Sequence, residues 1–187
     1  CRACRPPGLS SVVGGVHFVA AVLTVRAPGV GWRPVPIFTW SIAATAIIQI
    51  MGTSVVAASL IMVTFDRVLH TTFFNSDLGG NVLLYQHLFW YYSHPAVYIM
   101  ILPAFGAILE IIPVYARKPL FAYKLVAGAL MTITALSFLF WAHHMFTSGM
   151  WILLKLPSIP NTEFISIPPR PLLLPRLAPT FAPHSPP

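Results

Sequence analysis

Three histidines, His94, His143 and His144, stand in stretches almost free of charge: WYYSHPAVYIM at 90–100 and FLFWAHHMFTSGM at 138–150. Neutral imidazoles converging in a dry cavity suit copper or zinc. Ionisable side chains inside a membrane are rare and tend to mark ion or electron pathways. Adjacent residues on an α-helix point about 100° apart, so His143 and His144 share one metal only if the helix is locally distorted or their rings converge. From spacing alone a metal site, a proton relay and simple packing all stay open. His94 and Tyr98 are spaced i, i+4 and share a helix face. Pro95 between them removes a backbone donor and frees the carbonyl of Tyr91. A tyrosine beside a metal-bound imidazole can give up a proton and an electron together, although the same spacing also suits an aromatic that only fills space.

The elements that must position these residues follow from composition. The chain has 187 residues, 57% of them hydrophobic and 8% charged, with mean hydropathy +0.77. Soluble domains are about a quarter charged, so this is membrane composition. The net charge of +7 is spread singly between apolar segments, which speaks against nucleic acid as a partner. Cys1 and Cys4 form a CxxC with no partner pair, so no metal or redox role is assigned to them. Four segments suit membrane spans: 8–25 (short), 37–65, 83–112 and 124–150. Open sheet edges are excluded in hydrocarbon and the segments are too long for barrel strands, so all four are predicted helices. The fold class is all-α, a polytopic transmembrane helix bundle.

The first and third loops carry Arg26, Arg33, Arg117, Lys118 and Lys124, and the second carries Asp66, Arg67 and Asp77. The positive-inside rule places the first and third on the cytoplasmic side. His94 then lies about 16 Å below the outer end of its helix, and His143–His144 about 10 Å below the outer end of theirs. Those depths are close enough for one shared site between antiparallel neighbours. Residues 151–187 are proline-rich with no helical period, and read as an extended or disordered tail.

LYQHLFWYYSHPAVYIMILPAFG, followed at the right distance by FLFWAHHMFTSGM and preceded by TFDRVLHTTFF, resembles the central part of subunit I of haem-copper cytochrome c oxidases. The likeness covers about 8–150 and corresponds to the fourth (partial) through seventh of that family's twelve helices. It implies that His94, His143 and His144 are the ligands of the copper CuB and that Tyr98 is covalently joined to His94. It also implies that Trp90 lies close to the copper, where packing is an equal reading, and that the Thr147 hydroxyl is near the site. The complete subunit would hold two haems, whose axial ligands fall outside this segment, so the segment alone is expected to be inactive. The implied reaction is reduction of O2 to water with electrons from cytochrome c, coupled to proton pumping. The implied partners are subunit II with the electron-entry site, subunit III, cytochrome c and the lipid bilayer of a bacterial cytoplasmic membrane.

Departures from the family pattern sharpen the reading. The usual glutamate two residues after the first histidine is Ala96 here. A subgroup that lacks it carries Tyr-Ser just before that histidine, as at Tyr92-Ser93. Positions 92 and 96 share a face, so a tyrosine hydroxyl can end where a carboxylate from 96 would. Tyr92 and Ser93 are therefore expected to replace the glutamate in proton transfer. Leu109 stands where the family often has a serine, and Glu110 is either a proton-entry group or a loop-end carboxylate. CRACRPP and the stretch after Met150 depart abruptly from the pattern, as expected of a partial gene sequence with frame error or foreign sequence at its ends. Quinol oxidases share these motifs. A His-lined transporter would explain intramembrane histidines but not the joint HPAVY and WAHHMFTSGM motifs. A nitric oxide reductase relative would lack the tyrosine at 98.

Overall fold

The computed structural model describes residues 5–25, 31, 35–120 and 122–166; Cys1 and Cys4 lie outside them. All regular elements among these residues are helical: α1 (Arg5–Thr24), α2 (Ile37–Val68), α3 (Val82–Ala116), α4 (Tyr123–Ser137) and α5 (Ile152–Ser166), with short 3-10 segments at Ser76–Leu78 and Trp141–Met145. Three spans are long and apolar enough to cross a membrane: Ile37–Val68, Val82–Ala116 and Tyr123–Met145. Most of the side chains on the first two are not buried by the rest of the chain. Long apolar helices with lipid-compatible surfaces make this an integral membrane protein. The apolar part of α1, Gly8–Thr24, is shorter than a full span.

Helix α2 is the centre of the bundle, packed against α1, α3 and α4. The core lies where α2, α3 and α4 meet, with Ile37, Ala44, Ile48, Leu102, Leu109, Leu130 and Ile133 buried together. Gly106 makes the α2–α3 crossing close. A Cβ there would stand 2.0 Å from Ser41 Oγ and 3.0 Å from Phe38 Cα. At the far inner-core end, Tyr123 accepts from Trp40 Nε1 at 2.8 Å and donates to the Val35 carbonyl, joining α4 to the entry of α2.

The 69–81 connection sets where α3 begins. Asp66, near the end of α2, accepts from Thr71 Oγ1 at 2.6 Å and from the amides of Phe73 and Phe74, both at 2.9 Å. Gly80 has no room for a side chain, since a Cβ would lie 2.2 Å from the Thr72 carbonyl oxygen. Asn81 then caps α3 by accepting from the Leu84 amide at 3.1 Å, a standard use of asparagine at a helix start. Helix α3 runs unbroken for 35 residues despite Pro95, Pro103 and Pro113. It ends with Arg117 in the left-handed region (φ 50°) and Lys118 N donating back to Pro113 O at 3.1 Å, the Schellman closure of a helix end.

Two expectations are corrected. The fourth helix is not continuous over 124–150: α4 stops at Ser137 and the chain re-forms as a 3-10 segment at Trp141–Met145. Thr132, Thr134 and Ser137 all donate their hydroxyls back to carbonyls three or four residues earlier, competition that loosens and bends helices. The stretch after Met150 is not uniformly extended either. Residues 152–166 form α5 with Pro157 and Pro160 inside it, packed against the Trp141–Met145 segment. Ser158 Oγ donates to Leu154 O at 2.8 Å within the same helix. The remainder of the expected tail, 167–187, lies outside the described residues.

Gly106→Ala is expected to cost about 1–3 kcal/mol by overpacking the α2–α3 crossing. Pairing it with Ser41→Gly should restore part of that loss, because Ser41 Oγ and Cβ are the nearest obstacles. Thermal denaturation of the full-length complex in detergent measures both; an innocuous Gly106→Ala would contradict the crossing as described.

Candidate metal centre

One face of α3 carries Leu83, His87, Trp90, Tyr91, His94 and Tyr98, at offsets of three, four and seven that keep them on one side of the helix. The Trp141–Met145 segment lies along this face. Buried Ala142 and Met145, with Met150, pack against Leu83, Trp90 and Trp141. The 3-10 geometry turns adjacent residues about 120° apart with a longer rise, and the rings of His143 and His144 still converge, with centroids 4.2 Å apart.

His94 is 7% exposed and meets both rings, at 4.6 Å and 85° for His143 and 5.4 Å and 57° for His144. One candidate ligand nitrogen from each of the three lies within 4.8 Å of the others. His94 Nδ1 and His144 Nε2 are 3.2 Å apart. Two nitrogens each about 2.0 Å from one tetrahedral metal would be about 3.3 Å apart, so the spacing suits a shared cation as well as a hydrogen bond. His94 Nε2 and His143 Nδ1 are buried with no hydrogen-bond partner. Orphaned buried imidazole nitrogens are costly, and their presence fits a site built to coordinate rather than a satisfied core. An all-imidazole donor set matches copper or zinc and is a poor match for magnesium or calcium, which take oxygen.

Trp90 stacks on His144 with centroids 4.1 Å apart and planes within 8°, fixing that ring's plane. Tyr98 meets His94 edge-on, at 5.3 Å and 66°, and also packs against the α2–α4 core. The structure thus brings together His94, His143, His144, Trp90 and Tyr98. Thr147 is exposed in the turn that follows the 3-10 segment. Tyr92 faces α2 instead of the triad: a Cβ on Gly52 would be 3.1 Å from its ring. Ser93 is half-buried between them on α3. Glu110 Oε1 accepts from the Phe38 amide at 3.3 Å, capping the first turn of α2, which has no acidic residue of its own; this favours the loop-end role. His87 was not singled out from sequence. Its Nδ1 accepts from Trp141 Nε1 at 3.2 Å, and the signal that could have found it is its spacing of seven before His94.

Fold and site together define an integral membrane helix bundle with three imidazoles gathered between α3 and the segment after α4, a group that could hold a metal ion. The family model for cytochrome c and quinol oxidase polypeptide I matches residues 7–169, and the chain belongs to that family. The match runs past residue 150, where the likeness seemed to end, and takes in α5. The chain is 47% identical over 142 residues to cytochrome c oxidase subunit 1 of Thermostichus vulcanus, covering 76% of this chain and 26% of that protein. It is 45% identical over 161 residues to cytochrome c oxidase subunit 1 of a Synechocystis strain, covering 86% and 29%. With the Bacillus subtilis protein of the same name it shares 42% over 143 residues, covering 76% and 23%. The chain therefore spans less than a third of the length of these relatives.

Loss of the Trp90–His144 stack in Trp90→Leu should cost about 0.5–1.5 kcal/mol beyond the buried area removed. Trp90→Phe, which keeps a flat ring, should recover most of it. Equal melting temperatures for the two variants would argue against stacking as what holds His144.

Proposed function

We propose that this chain is part of the catalytic subunit of a terminal oxidase, in which His94, His143 and His144 hold the copper CuB. The observation that carries the reading is the convergence of three imidazoles from two separate elements, with ligand atoms within 4.8 Å and Tyr98 against the first ring. Bound there, copper would supply a redox-active Lewis acid. The chain's own residues orient that chemistry. Trp90 holds the plane of His144, and the α3 backbone holds His94 over Tyr98. Tyr98 carries a phenolic proton one helical turn from His94, against whose ring it packs edge-on. The chain buries His94 but leaves His143 half-buried and His144 exposed; within a bilayer, protons would reach the triad by side chains and ordered water.

The complete protein would reduce O2 to water with electrons from cytochrome c and pump protons. It would carry two haems and work with subunits II and III in a bacterial cytoplasmic membrane. The family also includes quinol oxidases; the relatives' names support cytochrome c as donor. Tyr92 and Ser93 would relay protons in place of the missing carboxylate at 96, and Thr147 would lend a hydroxyl near the site.

The full-length complex should contain copper and haem and consume O2 with reduced cytochrome c. Replacing His94, His143 or His144 by Ala should abolish both copper binding and O2 uptake. A full-length protein with neither cofactor would point instead to a His-lined transporter. For the proton route, a Tyr92→Phe, Ser93→Ala double variant should turn over with a lowered proton-to-electron ratio. An unchanged ratio would reject that part of the proposal.

A further inference from the structure

The Trp141–Met145 segment must present two imidazoles to His94, yet it is weakly held by its own backbone. Short 3-10 runs have poor hydrogen-bond geometry, and the backbone bond from His143 N to Phe140 O is 3.4 Å long. Its orientation therefore has to come from side chains. The contacts of Ala142 and Met145 with Leu83 and Trp90 are apolar and non-directional, so they fix distance better than rotation. Trp141 adds a directional contact. Its indole N–H donates to His87 Nδ1 at 3.2 Å, while its ring meets His87 at 6.4 Å and 82° and Tyr91 at 5.2 Å and 67°. His87 and Tyr91 are one turn apart on α3, and His94 lies on the same face two turns beyond His87.

We propose that His87 is a positioning residue for the metal centre. By accepting from Trp141 it sets the rotation and height of the 3-10 segment, and so aims His143 and His144 at His94. For Nδ1 to accept, the proton of the neutral ring sits on Nε2. Both partners are half-buried, so losing this bond would leave an indole N–H or an imidazole nitrogen with fewer partners to turn to. Metal–ligand distances tolerate only about 0.2 Å, so a small rotation of the segment would take two ligands out of range at once. Sliding of the segment along Leu83 and Trp90 would do the same.

The inference rests on the copper reading, and its test separates the two. In the full-length complex, copper affinity is measured by chelator competition, with the copper electron paramagnetic resonance signal reporting the ligand set. His87→Leu and Trp141→Phe should each weaken copper binding by on the order of tenfold, as loss of a supporting contact does. The double variant should be no worse than the weaker single. His87→Asn, which keeps an acceptor close to the Nδ1 position, should bind copper like the unaltered protein. Unaltered affinity in both singles, additive losses in the double, or an Asn variant as weak as the Leu variant would each overturn the role of this bond. If His87→Leu does not accumulate, Trp141→Phe decides by the same measurement. Failure of the unaltered complex to bind copper would instead overturn the metal reading itself.

Discussion

Two of the three imidazoles come from consecutive residues, and consecutive side chains on a straight α-helix diverge by about 100°. An uninterrupted helix would aim one of the pair at His94 and the other elsewhere. The pair sits where α4 has ended at Ser137 and the chain re-forms as the 3-10 segment at Trp141–Met145, with its rings 4.2 Å apart. A 3-10 turn separates neighbours by still more, about 120°, so the pairing rests on how the rings are turned and on the contacts around the segment. External support is needed because the break discards the continuous backbone ladder that would have held the pair in place. The stacked Trp90, the apolar seat around Met145 and α5 packed behind the segment all answer that need.

The other ligand has the opposite problem. His94 sits on a 35-residue helix, about 52 Å long, far longer than a hydrocarbon core of about 30 Å. A long helix can slide or tilt, and the triad fails if it does. Helix α2 prevents this from both ends. Asp66 gathers three donors of the connection and fixes where α3 starts. Gly106 lets the two backbones meet at the crossing. Glu110 reaches back from α3 to cap α2 at Phe38. Each contact is modest, but together they tie the height of His94 to α2, which the Trp40–Tyr123–Val35 bonds tie in turn to α4.

Much of the site was legible because membranes make histidine conspicuous. His94, His143 and His144 stand out where almost nothing else can ionise, and the spacing of four residues shows Tyr98 beside His94 without any knowledge of the partner helix. The break before the ligand pair was not legible. FLFWAHHM continues the apolar run of α4, and composition does not distinguish an α-helix from a 3-10 turn of the same hydropathy. Proline misled in the other direction: Pro157 and Pro160 suggest an extended chain, yet α5 forms around them, packed against the Trp141–Met145 segment. Gly106 and Gly52 could not be read at all, since their meaning lies in Ser41 and Tyr92 on other helices. His87 was overlooked because a polar residue near the start of a span looks like its boundary.

The placement of Tyr92 bears on how a proton could reach the triad without a carboxylate at 96. Two residues before His94, Tyr92 points about 200° round the helix, and its ring rests on α2 at Gly52, away from the imidazoles. A relay beginning at Tyr92 therefore has to pass round α3, not along one face. Ser93 is the residue midway, about 100° from each. Its short hydroxyl can accept on one side and donate on the other, whereas either residue alone leaves a gap that water must fill. In such a relay the adjacent pair Tyr92-Ser93 would act as a unit.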